Sequence, residues 1–184
     1  MKALGATLAF GLSLVIGRVL GAEAAGVYFL ELTTAMVAAT VGRVGLDSAV
    51  LRFVATHASA DQWAEVSAVY RTTLAIGLIS SFLIAAVLYL AADVLVDVVF
   101  SDRTLATPMR IMAVAIVPLS LGVLVSQTLL GLSSIRDSVL VFTILPVGVA
   151  LAGTWILASE WGVSRATAAY LIAVAVALVY GWRA

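Results

Sequence analysis

The sequence predicts an all-α fold, a polytopic membrane helical bundle of about six transmembrane helices, and three observations carry that expectation. Of 184 residues, 64% are hydrophobic and 11% charged, where soluble domains use roughly 45–50% apolar and about 25% charged residues. The mean hydropathy is +1.19. Long apolar stretches recur, each near the about 20 helical residues that cross about 30 Å of hydrocarbon at about 1.5 Å per residue.

The same composition removes several classes of function. A formal net charge of zero, with no basic arm or acidic tail, excludes nucleic acid as an expected partner. With no cysteine there is no disulfide, thiolate metal site or cysteine nucleophile. A single histidine, His57, leaves no histidine-based metal site or catalytic triad. The polar loops are too short to position an acid, a base and a sugar donor, so the chain does not read as an enzyme and no cofactor or metal is expected.

Taken in order, the first helix covers Ala3 to Leu20. Ala22-Glu23-Ala24 after it has the form of a signal cleavage site, but Arg18 inside the run and five further apolar segments favour an uncleaved helix. The stretch from Gly21 to Gly26 is short enough only for a hairpin turn, which makes helices one and two antiparallel neighbours. The second helix runs from Ala25 to Leu51 and carries Glu31, Arg43 and Asp47, with Arg52 just beyond it.

Ala55 to Val66 reads as a polar loop, with Ser59 and Gln62 spaced as a capping box for the third helix. Trp63 suits the membrane interface. That helix continues to about Ala92, where Asp93, Asp97, Asp102 and Arg103 mark the opposite surface. Thr107-Pro108 starts the fourth helix, since proline in a first turn loses no needed hydrogen bond. It runs to about Leu132, with Pro118 as an expected kink. The fifth helix covers Ser138 to Ser159 and contains Pro146; the sixth begins at Arg165 and runs to the last residue, Ala184. Five basic residues fall on one side (Lys2, Arg52, Arg71, Arg136, Arg183) and four on the other (Arg18, Arg103, Arg110, Arg165), which places the N-terminus inside.

Ionisable groups in membrane helices are costly and mark interiors, partners or interfaces. Arg43 and Asp47 are four apart and share one helical face. Either Arg43 presents its charge to a cavity with Asp47 holding it, or the two form a buried structural pair, or the arginine snorkels to the surface. Arg18 and Glu31 lie symmetrically about the turn, and a salt bridge clamping the hairpin is the plainer of their readings. Arg52 and Arg71 flank the inner loop, where anionic headgroups account for them. Gln127 is expected to hydrogen-bond between helices, and Gly17 with Gly21 makes a GxxxG step that permits close packing. Pro118 and Pro146 are hinge candidates or static kinks. Asp93, Asp97 and Asp102 form an expected solvated rim.

Two motifs, G-R-V-L-G-A-x-x-x-G-x-Y at Gly17 to Tyr28 and R-V-G-L-D-S-A-V-L-R-F at Arg43 to Phe53, resemble the opening of polysaccharide and lipid-linked oligosaccharide flippases. These belong to the multidrug/oligosaccharidyl-lipid/polysaccharide exporter superfamily. The order of the later segments agrees, through Gln127-Thr128-Leu129-Leu130-Gly131-Leu132 and Leu145-Pro146. The resemblance implies a multi-pass inner-membrane transporter, N-terminus cytoplasmic, that moves an undecaprenyl-diphosphate-linked oligosaccharide between leaflets by alternating access. It makes Arg18, Arg43, Asp47 and Arg52 substrate-path candidates, with Glu31 and Gln127 as possible coupling or structural groups.

The family has twelve to fourteen helices in two lobes, so residues 1–184 read as a single six-helix lobe, the N-terminal half. A rocking mechanism then needs a second lobe or a second copy. The alternatives are a multidrug or cation antiporter of the same superfamily, for which a buried carboxylate would serve as coupling site, and a nonfunctional truncated lobe.

Overall fold

The computed structural model describes residues 2–99, 106–161 and 163–183, all helix and turn. Helix α1 spans Lys2–Gly42, α2 Leu46–Ser59, α3 Trp63–Val99 and α4 Ala106–Gly131. A helix then runs from α5, Ile135–Val139, through a π-helical turn, Leu140–Ile144, into α6, Leu145–Trp161, and α7 spans Val163–Arg183. Among the described residues five runs are long and apolar enough to cross a membrane, the first covering Gly5–Gly42.

That first run contains two helices. Its 38 residues would reach about 57 Å if straight, nearly twice the hydrocarbon thickness. The break is at Gly21, with φ 80° and ψ 170°, a conformation open essentially to glycine alone. Ala9 and Leu12 before it line the same cavity as Leu32 and Met36 after it. A straight helix would hold Ala9 and Met36 about 40 Å apart. The chain therefore folds back, as the hairpin expectation required, and it does so at one residue instead of a six-residue loop. Gly17 meets no neighbouring atom. The GxxxG step is thus no packing surface within this chain, and its second glycine makes the bend.

The second predicted helix also changes. It ends at Gly42 and a new helix starts at Leu46, because Val44 at φ 50° and Gly45 at φ 73° turn the chain through the left-handed region. Helix α2 takes in the first part of the predicted polar loop, Ala55 to Ser59, and α3 begins within its last part, at Trp63. Helix α2 buries Val50 and Val54 and exposes Ser48, Arg52, Phe53 and Thr56, a two-sided pattern suited to a short helix lying against the bundle. The capping box does not form: Ser59 ends α2, and its hydroxyl donates to the Thr56 carbonyl at 2.8 Å.

Helix α4 is the hub, packing on α1, α2, α3 and α7. Its start and end agree with expectation, and it remains one helix through Pro118. The core combines Leu12, Ile16, Tyr28, Met112 and Ile116 with alanines from every layer, including Ala35, Ala39, Ala115, Ala150 and Ala173. Small side chains let membrane helices approach closely, where apolar burial alone offers no advantage over lipid. Large apolar residues point outward, as Ile79, Phe82, Leu83, Val87 and Leu90 do on α3. Arg71 and Asp93 on α3 are 22 residues apart, about 33 Å, one bilayer core. Asp102 and Arg103 lie outside the described residues, as does the side chain of Asp97.

Candidate functional site at a broken helix

Where α1 gives way to α2, the Ala39 carbonyl keeps its regular Arg43 N–H at 3.2 Å while the Val44 N–H shifts to the Val41 carbonyl, and carbonyls of a last turn take further donors from neighbouring elements. Two serines supply donors. Ser80 of α3 donates to the Gly42 carbonyl at 2.5 Å, and Ser120 of α4 donates to the Ala39 carbonyl at 3.2 Å. A Cβ on Gly42 would stand 3.2 Å from Ser81 Cα and 3.5 Å from Ser120 Oγ. Glycine there lets α1 come within hydrogen-bonding reach of both neighbours.

Arg43 emerges at this break. Its Nε donates to both carboxylate oxygens of Asp47 at 2.9 Å, and one terminal nitrogen donates to Thr40 Oγ1 at 3.1 Å. The arginine side chain is 11% exposed and the aspartate 31%. Held this way, the guanidinium lines a cavity of about 430 Å³ bounded by both arms of α1, by α4, by the π-helical turn and by α7. Met36, Leu119, Phe142, Val147 and Tyr170 furnish much of the wall, and Arg43 is the one charged residue lining it among the described residues.

The π-helical turn opposite Arg43 has a local cause. Pro146 has no N–H and its ring crowds the carbonyl four residues back, and in the turn before it the Leu145 N–H reaches the Leu140 carbonyl, five residues back. Pro146, Phe142 and Thr143 all face the cavity. Nothing in the sequence beyond the proline announced this turn. Pro118 instead lines a different, apolar groove between α3 and α4.

The remaining predicted residues are dispersed. Glu31 is 2% exposed, packed among Leu88, Met109, Met112 and Ile116, and neither carboxyl oxygen has a hydrogen-bond partner among the described residues. Arg18 is exposed and does not reach it, so the hairpin salt bridge is not formed. The reason is rotational: Glu31 faces α4, whereas Arg18 points away from the bundle. Arg52 lies on the outer face of α2 beside Ser48, Thr56 and His57, away from the Arg43 cavity. Gln127 is half-buried without a side-chain hydrogen bond among the described residues, and the interhelical bond near it runs between Ser126 and Ser138 at 2.9 Å. Asp93 is no free rim residue but pairs with Arg110 at 2.6 Å.

The fold is that of a multi-pass helical membrane protein. It resembles an outward-facing multidrug resistance MATE family transporter of the MOP superfamily, with a TM-score of 0.78 at 16% identity. A MATE protein in complex with MaL6 matches with a TM-score of 0.77, also at 16% identity. In each case the match covers 99% of this chain and 42% of the other, so the chain spans less than half the length of these transporters. No curated protein matches the sequence. The family model described as "Polysaccharide biosynthesis protein" matches residues 1–184, and the chain belongs to that family.

Proposed function

We propose that this chain forms one lobe of an exporter that carries an undecaprenyl-diphosphate-linked oligosaccharide across the inner membrane, its N-terminus cytoplasmic. The observation that carries this reading is that Arg43, and not Glu31, lines the cavity between the two arms of α1, α4 and α7. A diphosphate entering an apolar chamber needs a cation already held in place, because charged groups attract strongly where water is scarce. Asp47 and Thr40 supply the hold, and the apolar wall suits a lipid tail. The facing wall comes from a second lobe or a second copy, and the π-helical turn before Pro146 is the proposed flexing point, as such turns often are at functional sites.

The test is Arg43→Ala in the complete protein, with membrane insertion measured by immunoblot and export by surface saccharide. Insertion persists and export falls at least tenfold, a loss of roughly 1.4 kcal/mol or more in transition-state or binding terms. Unchanged export removes the role.

A second reading rests on Glu31. A carboxyl buried without a partner is costly, and a proton or cation taken from water would relieve it. Glu31 then couples ion flow to export, as in the antiporter alternative. Glu31→Gln is expected to keep the protein folded and to abolish the response of export to an imposed ion gradient; a full response overturns the coupling role.

A further inference from the structure

Helices α3 and α4 run antiparallel, and each shows one chemically graded stripe to the other's flank. On α3 the stripe is Phe82, Ala86, Tyr89, Asp93; on α4 it is Arg110, Val114, Pro118. Both repeat at three- or four-residue steps, so each lies on a single helical face. Phe82, Ala86, Tyr89, Val114 and Pro118 of these stripes line a groove of about 570 Å³ in which, among the described residues, Tyr89 is the only one with a polar side-chain atom. Ala85 and Ala86 leave the room, and Leu171 of α7 contributes to the wall.

One end of the groove is capped by an ion pair. Arg110 donates to Asp93 at 2.6 Å and its guanidinium lies 5.6 Å from the Tyr89 ring centroid. Arg110 Nε is buried and has no hydrogen-bond partner among the described residues. The arginine side chain is 41% exposed and the aspartate 59%, so both charges can be reached from outside. Their depth fits a headgroup, since Asp93 is one bilayer core away from Arg71.

We propose that this groove binds one phosphatidylethanolamine molecule. One acyl chain lies along Tyr89, Ala86 and Phe82, the phosphate accepts from the spare Arg110 donors, and the ammonium is held by the Asp93 carboxylate. The apolar groove by itself cannot choose among lipids, because neighbouring tails are equally apolar. Selection falls to the cap, where a cation and an anion side by side match a zwitterionic head. A glycerol phosphate head would meet the Asp93 charge without a compensating ammonium. The inference needs only the membrane setting and is independent of what the protein transports.

The complete protein is purified in detergent, equilibrated with equimolar phosphatidylethanolamine and phosphatidylglycerol of identical chains, and read by native mass spectrometry. Retained phosphatidylethanolamine exceeds phosphatidylglycerol about tenfold, the ratio set by one favourable ion contact. Asp93→Asn brings the ratio to about one, Arg110→Gln lowers retention of both lipids, and Val114→Trp fills the groove and removes bound lipid. Val114 is exposed, so the tryptophan leaves the core alone; a melting curve checks this, and if it fails the two head-pair variants decide. Equal retention of the two lipids by the native protein, a preference for phosphatidylglycerol, or a ratio indifferent to Asp93→Asn overturns the proposal.

Discussion

The Arg43 Nε bonds both oxygens of Asp47 at 2.9 Å across a turn that ends one helix and begins the next. The four-residue spacing would join them on a continuous helix as well. The turn adds direction: it carries the guanidinium to the cavity wall while the carboxylate stays on the first turn of α2.

Asp47→Ala leaves a nearly buried cation with Thr40 as its remaining partner. The change is expected to cost about 1.5–3 kcal/mol, the range for a hydrogen bond to a charged group. Thermal unfolding of Arg43→Ala, Asp47→Ala and the double variant in detergent checks it, with a coupling of about 1–2 kcal/mol between the two positions. Strictly additive losses would mean the pair does not hold itself.

Gly21 and Gly17 give a matched comparison. A Cβ would touch nothing at either, so the difference between them is backbone conformation. Gly21→Ala is expected to destabilise by about 1–3 kcal/mol, whereas Gly17→Ala in regular helix is neutral or stabilises by roughly 0.5–1 kcal/mol. Similar melting shifts in the two variants would contradict the bend.

The serine contacts at the break make a third prediction. Ser80→Ala and Ser120→Ala each remove a donor to an α1 carbonyl, at about 0.5–1.5 kcal/mol apiece. Gly42→Val crowds Ser81 and Ser120 and is expected to cost about 1–3 kcal/mol through overpacking. Melting curves rank the three, and a harmless Gly42→Val would show that α1 can shift outward at no penalty.

Gly122 lines the Arg43 cavity, and a Cβ there has open space. Gly122→Leu should therefore fold normally, with a melting shift within about 0.5 kcal/mol, the range of substitutions that touch no packed feature. Under the proposed function it narrows the chamber and cuts export severalfold. Export at the native rate would place the substrate elsewhere.

Much of this protein was legible from residue order. Composition and run length announced the helices, because a bilayer demands apolar segments of one length. The bend after Leu20 and the Arg43–Asp47 contact followed from spacing, which is local geometry. The sequence also pointed to the family through Gly17 to Tyr28 and Arg43 to Phe53, and the family match agrees.

Other features were decided only by packing. Helices that are apolar on every side carry no stripe to say which face turns inward, so the sequence could not show that Glu31 faces Met109 and Met112 while Arg18 points outward. The break at Arg43 to Gly45 is stabilised by hydroxyls from Ser80 and Ser120, which lie 37 and 77 residues downstream of Arg43. The Arg110–Asp93 cap depends on the register between α3 and α4. Residue order specified what each helix is made of, and contact between helices specified where its few polar groups point, because in a membrane those groups take the partners that neighbouring helices bring within reach.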